Sequence, residues 1–350
     1  MYRVIMNGIM RLKKGDTIAL VTPSWAGPAQ YPWVFDQGIQ RLKELGFVIK
    51  EFSSTSAGQA ELQSNAKLRA DDINAAFRDP EVKGIIASIG GEDSIRILPY
   101  LDKEVVMKNP KFFMGFSDTT TLLVWLRMHG IISFHGPSVM AGFAEQGSFP
   151  TEFRDHLEAM LFSDWSRFTL RPYAEWTEQI LPWEKKENLG IKRIFEPNKG
   201  WNVVNNVEGE RRGELFGGCI EVLEFLKGTE YWPAKEFWSG KVLFLENSEE
   251  APSIDRIKRI LRNYGAQGVF ERITGLLIGR GCNYDNDSKK DLERAVYQVV
   301  VEEYGGKHVP IIANMDFGHT FPQWILPIGG MVELDTGEKR LELIESPFIS

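Results

Sequence analysis

Short, unbroken apolar runs alternate with amphipathic stretches along the N-terminal part of this chain, and that alternation leaves few folds open to it. Apolar runs over 17–22, 47–49, 82–89, 112–116 and 131–134 read as strands, and helical spacing over 35–45, 65–77, 93–101 and 119–128 separates them. A strand that is apolar at every position is buried on both faces. Such strands separated by helices predict a doubly wound parallel α/β sheet with helices on both sides. Ligands of these sheets gather at the carboxyl ends of the strands. The texture changes over 163–212, a stretch rich in Trp, Pro, Glu and Lys with weak periodicity, which reads as a linker, lid or binding loop. Beyond it, helices are expected over 217–226 and 253–264, strands over 241–245, 273–278 and 309–313, and an antiparallel pair over 331–344 around Asp335-Thr336-Gly337. The expected organisation is an N-terminal domain over 1–165, a Trp-bearing linker over 166–212 and a smaller C-terminal α/β domain over 213–350, with residues 1–10 a loosely ordered extension.

Bulk properties exclude several function classes. At 350 residues with 43% hydrophobic content, the chain can bury the cores of two domains. Its net charge is −7 and no dense Lys/Arg stripe occurs, which disfavours nucleic acid, because phosphate neutralisation needs a clustered basic face. Cys219 and Cys282 show neither Cys-x-x-Cys spacing nor a Cys/His cluster. They argue against a metal site and read as buried free thiols of a reducing, cytoplasmic compartment. No apolar stretch approaches the ~18 residues of a membrane span, and the N-terminus lacks the apolar region and cleavage site of a signal peptide.

Four strand ends carry groups capable of chemistry. In Gly115-Phe116-Ser117-Asp118 an apolar strand runs straight into a helix with a serine at the junction. A sharp turn there would expose the Ser117 hydroxyl and aim the next amide, that of Asp118, at an oxyanion; equally, serine is a good helix cap. Gly90-Gly91, at the end of the run over 82–89, lets backbone approach a ligand, or is a plain tight turn. Glu246 follows the run over 241–245, and acids at that place are also common as capping or solvated residues. Of five histidines, His156 and His308 sit among polar residues and read as surface, His129 ends a helix, and His135 lies in a strand-end turn. His319, in the Gly-flanked loop after the run over 309–313, is the best general base. A serine nucleophile needs such a base, and a carboxylate to fix the imidazole tautomer.

These residues fall within a longer pattern. Gly15-Asp16, Val21-Thr22-Pro23-Ser24, Arg69-Ala70-Asp71-Asp72, Gly90-Gly91, Leu98-Pro99-Tyr100, Gly115-Phe116-Ser117-Asp118, Phe134-His135-Gly136-Pro137, Gly217-Gly218, Leu245-Glu246 and Phe317-Gly318-His319 occur in that order. The chain thereby resembles the serine LD-carboxypeptidase family, which includes muramoyl-tetrapeptide carboxypeptidases and microcin C immunity peptidases. The resemblance implies a flavodoxin-like N-terminal sheet, a smaller C-terminal α/β domain and a site between them. It also implies a catalytic triad at Ser117, Glu246 and His319, oxyanion donors at the Gly91 and Asp118 amides, a homodimer, and no cofactor. The glycine turn Ile89-Gly90-Gly91-Glu92-Asp93-Ser94 looks more like the immunity branch than like the Arg-Gly-Gly-Tyr-Gly turn of recycling members. That branch cleaves peptidyl- or aminoacyl-adenylate-like substrates, and an aromatic in a Trp-bearing loop stacks on the base, a contact of roughly 1–3 kcal/mol. Gly90, Glu92, Trp176 and Trp183 are the corresponding substrate-binding candidates, with lid packing the alternative for both tryptophans. Two other readings stay open: an LD-carboxypeptidase trimming muramoyl tetrapeptides, and a non-catalytic nucleotide- or peptide-binding protein. Glu249 and Glu250 either face the cleft, favouring an amine over an acid, or face solvent.

Overall fold

The computed structural model describes residues 8–144 and 149–349. Strands β1 (Thr17–Val21), β2 (Val48–Glu51), β3 (Val82–Ala87), β4 (Phe112–Gly115) and β5 (Ser133–His135) form one parallel sheet in the order 2-1-3-4-5. That is the flavodoxin-like order, with its switch point between β1 and β3. Helices α1 (Pro32–Glu44), α2 (Ala66–Arg78) and α3 (Thr120–Met128) cover it. The expected helix over 93–101 is instead a 3₁₀ segment, Ser94–Tyr100, with Pro99 inside it. Pro99 lacks the N–H that a continued α-helix would use.

A further helix, α4 (Thr151–Phe162), precedes the second half. The stretch over 163–212 is less detached than its composition suggests. Its strands β6 (Phe168–Leu170) and β7 (Asn202–Asn205) are the two edges of a second, eight-stranded sheet. Four parallel strands make the middle of that sheet: β8 (Arg211–Cys219), β9 (Lys241–Glu246), β10 (Gly275–Gly279) and β11 (Ile311–Met315). The helix expected from Gly217 begins only at Ile220, as α5 (Ile220–Leu226). Gly217 and Gly218 belong to β8, where a Cβ on Gly217 would lie 1.8 Å from the Phe244 carbonyl oxygen and one on Gly218 2.5 Å from Thr120 Cγ2. The glycines thus let β8 pass close to β9 on one side and to α3 of the first sheet on the other, where the Cys219 amide donates to Thr120 Oγ1 at 3.3 Å.

Helices α6 (Ile254–Ala266) and α7 (Asn286–Tyr297) pack on each other beside this sheet. Strand β12 (Leu326–Ile328) then leaves the second half and pairs antiparallel with β5, closing the edge of the first sheet. The chain returns as the hairpin β13 (Met331–Asp335) and β14 (Arg340–Leu343), which matches the antiparallel pair expected there. One continuous apolar cluster runs through both sheets. Ile9–Met10 pairs in parallel with Phe348–Ile349, so this part of the N-terminal extension is tied down, whereas residues 1–7 lie outside the described residues. Among the described residues no helix is long and apolar enough to cross a membrane.

Candidate active site

The carboxyl ends of β1, β3 and β4 meet the carboxyl ends of β9 and β11 around a cavity of ≈ 700 Å³. Ser117 leaves β4 with φ 58°, in the left-handed region, where a non-glycine residue costs of order 1–3 kcal/mol. It does not act as a cap: neither the 3₁₀ turn Ser117–Thr119 nor α3 has a side-chain cap hydrogen bond. The strained turn instead puts Ser117 on the cavity wall. Gly90 packs on it, since a Cβ at Gly90 would lie 3.0 Å from Ser117 Oγ and 3.4 Å from the Asp118 nitrogen. The Asp118 side chain points away from the cavity and is buried. Its Oδ2 accepts the Ser94 amide at 2.8 Å, and burial pushes its carboxyl above the usual range.

A polar clamp that the sequence did not single out shapes the glycine turn. Ser24, just past β1, accepts the Glu92 and Asp93 amides on Oγ at 3.0 and 3.2 Å and donates to Asp93 Oδ1 at 3.1 Å. Asp93 is paired with Arg69, whose fully buried guanidinium also donates to the Pro23 carbonyl at 2.8 Å. The Glu92 and Asp93 amides are thus engaged by Ser24, whereas no side chain among the described residues takes the Gly91 or Asp118 amide, nor that of Gly90 or Ser117. In the sequence, Ser24, Arg69 and Asp93 each fall in a segment of the family-like pattern, but nothing there shows that they meet.

Glu246 ends β9, 2% exposed, and its Oε2 lies 2.7 Å from His319 Nδ1. The carboxylate therefore fixes the tautomer that leaves Nε2 to face the cavity. Burial alone would lower the basicity of His319, but the adjoining Glu246 and Glu249 carboxylates outweigh it and raise its pKa to about 9. His319 Nε2 has no hydrogen bond among the described residues, although Glu249 Oε2 stands 3.2 Å away, at ion-pair distance without hydrogen-bond geometry. Behind Glu246, His135 is fully buried and held neutral, its pKa pushed down to about 3 by burial and by the nearby His319. Its Nε2 is 4.0 Å from Glu246 Oε1, and neither atom has a hydrogen-bond partner among the described residues.

The remaining candidates divide. Gly90, Gly91, Glu92 and Trp183 line the cavity. Trp183 is stacked on Trp25 with ring centres 6.0 Å apart, its carbonyl accepting from Trp33 Nε1 at 2.8 Å. Trp176 is not on the cavity wall: its ring lies against Arg280 and Lys289, each 4.6 Å from the ring centre. Arg280 in turn is ion-paired with buried Asp316 at 2.8 Å and donates to Thr320 Oγ1 at 3.3 Å, which braces the loop carrying His319. His156, expected at the surface, is buried, and its Nε2 accepts the Ile325 amide at 3.0 Å. Both cysteines are buried and unpaired. Among the described residues no group of three or more His, Cys, Asp or Glu could hold a metal ion.

Residues 18–136 match the LD-carboxypeptidase N-terminal domain and residues 212–334 the LD-carboxypeptidase C-terminal domain. A Vibrio cholerae protein that carries the name carboxypeptidase is 30% identical over 334 residues, 95% of this chain and 96% of its own length. The microcin C7 self-immunity protein MccF of Escherichia coli is 27% identical over 336 residues, 95% of this chain and 94% of its own length. Among solved structures, an MccF-like protein from Streptococcus pneumoniae in complex with AMP superposes with a TM-score of 0.83 at 28% identity, covering 93% of this chain and 98% of that one. MccF in complex with aspartyl sulfamoyl adenosine does so with a TM-score of 0.85 at 25% identity, covering 98% of this chain and 100% of that one. The chain belongs to the LD-carboxypeptidase family and is a peptidase.

Proposed function

We propose that the protein is a serine peptidase of the microcin C immunity type, in which Ser117 attacks the acyl carbonyl of a peptidyl- or aminoacyl-nucleotide-like amide. The observation that carries this reading is the left-handed Ser117 at a strand end, on the same cavity as an imidazole already held by a buried carboxylate. Neutral His319 takes the hydroxyl proton on Nε2 as Ser117 Oγ bonds to the carbonyl carbon, and Glu246 stabilises the resulting imidazolium. The carbonyl oxygen, now an oxyanion, accepts from the Gly91 and Asp118 amides, a contact worth about 10²–10³ in rate per donor. Collapse breaks the C–N bond, His319 returns its proton to the leaving nitrogen, and water then hydrolyses the Ser117 ester by the same relay. The Trp183–Trp25 pair offers an aromatic wall to a base, in keeping with the AMP and aminoacyl sulfamoyl adenosine bound by the MccF-like relatives. A reducing compartment suits the two buried free thiols, and a homodimer belongs to the same reading.

Ser117→Ala is the direct test. It is expected to abolish hydrolysis of an aminoacyl sulfamoyl adenosine and labelling by a fluorophosphonate. Full activity in that variant would remove Ser117 from the mechanism. Assaying the same protein on a muramoyl tetrapeptide separates the immunity-type reading from the peptidoglycan-trimming one.

A further inference from the structure

Glu249 and Glu250 follow Glu246 on the loop that leaves β9, and both line the cavity. The loop backbone is held from several sides. Buried Glu221 accepts the Ser248 amide and hydroxyl at 3.0 and 2.7 Å, and Asn283 Nδ2 donates to the Glu249 carbonyl at 2.8 Å. The Glu249 side chain is free by comparison, 54% exposed, with its carboxylate 3.2 Å from His319 Nε2. It therefore stands beside the one nitrogen that the proposed mechanism needs, on a side chain 92% buried whose outward nitrogen has no hydrogen bond among the described residues.

The other charges on the cavity wall do not balance it. Asp93 is neutralised by Arg69 and Arg96, and Glu184 accepts from Tyr31. The acids on the wall, Glu92, Asp93, Glu184, Glu249 and Glu250, outnumber its two arginines, Arg96 and Arg193. Apart from His319 itself, no cation among the described residues is paired with Glu249 or Glu250, so the wall beside the scissile position carries surplus negative charge. An anionic or acylated group there would leave these carboxylates uncompensated, whereas an ammonium would pair with them through a charge-assisted hydrogen bond.

We propose that Glu249, supported by Glu250, recognises a free α-ammonium group next to the scissile carbonyl, and that pairing with it draws Glu249 away from His319 Nε2. Of the peptidyl- and aminoacyl-nucleotide-like amides proposed above, the aminoacyl conjugates with an unblocked amino group are then preferred over chains acylated at that nitrogen. Glu249 is both the selectivity determinant and the counter-ion of the base in the empty site. This rests on the proposed triad, since only there does freeing Nε2 matter.

The test uses full-length protein with alanyl sulfamoyl adenosine and its N-acetyl counterpart, in wild type, Glu249→Gln and Glu250→Gln. Both kcat/KM and calorimetric Kd are measured. The wild type is expected to favour the free amine by about tenfold or more in both readouts, the size of one charged hydrogen bond, and Glu249→Gln to lose most of that preference. The groups facing His319 are Glu246, Glu249, Glu221 and His135. Removing the Glu249 charge should therefore also move the acidic limb of kcat/KM for the N-acetyl compound to lower pH. Retention of the wild-type preference by Glu249→Gln, a wild-type preference for the N-acetyl compound, or no binding of either compound overturns the inference. The Kd comparison decides it even if Ser117→Ala stays active, an outcome that would count against the triad alone.

Discussion

Ser117 and His135 show how far single residues depend on their surroundings. Ser117 in a sequence is as good a helix cap as a candidate nucleophile; its φ of 58° and its missing cap hydrogen bond argue against the cap, and both are set by backbone geometry. His135 was legible only as a histidine in a strand-end turn, because nothing local announces that its ring will lie 4.0 Å from Glu246 Oε1. In that position we propose a positioning role: the neutral ring stands beside the second oxygen of the carboxylate that holds His319, beyond hydrogen-bond distance here and able to donate to it if the gap closes during turnover. His135→Phe should lower kcat with KM nearly unchanged, by about 10- to 100-fold if the ring donates a charged hydrogen bond of roughly 1.5–3 kcal/mol. His135→Gln, which keeps a donor, should recover part of the loss. Equal activity in the two variants would leave His135 a packing residue only.

At the scale of elements, the β-strands were the readable part. Unbroken apolar runs marked β1, β3, β4, β9, β10 and β11, and the candidate residues at their ends reach one cavity because parallel strands deliver their carboxyl ends to one side. The misreadings have physical causes. The stripe Phe153–Leu157–Met160 of α4 is interrupted by His156, polar in type yet buried, and α7 is almost wholly polar apart from Leu292, Ala295 and Val296. The glycines at 217 and 218 looked like a helix start, but are where one strand passes close to its neighbours, information that lies in the partner elements. Gly217→Ala accordingly tests the β8–β9 contact. With the added carbon 1.8 Å from the Phe244 carbonyl, it should destabilise the fold by about 1–3 kcal/mol or more in urea unfolding and lower activity by displacing the β9 end that carries Glu246.

For the whole molecule, the buried histidines contribute to the pH response with opposite signs. His135 and His156 are held neutral with pKa values near about 3, below the ordinary histidine value of 6.5. The unfolded chain takes up protons there before the folded one does, so both erode stability as pH falls from 6.5 towards 3. His319 has the opposite sign. Its pKa of about 9 lies above the unfolded value, so its contribution is full below pH 6.5 and is lost as pH rises through 9. Thermal unfolding across pH should therefore show a loss on the acid side, and replacing His156 by Gln, whose carbonyl can still accept the Ile325 amide, should flatten it. An acid limb unchanged in that variant would place the loss elsewhere.

Strand β12 also imposes an order on assembly. The strand that ends in His135 has an open flank until residues 326–328 arrive to cover it, so the first sheet cannot be finished before nearly all of the chain exists. The N-terminal half made alone would display that flank as a template for other strands, and the histidine behind the carboxylate would sit at an unsealed edge. Completion of the sheet that carries Ser117, the proposed nucleophile, is thereby coupled to arrival of the loop that brings His319, the proposed base: no fragment holding one without the other is a finished unit.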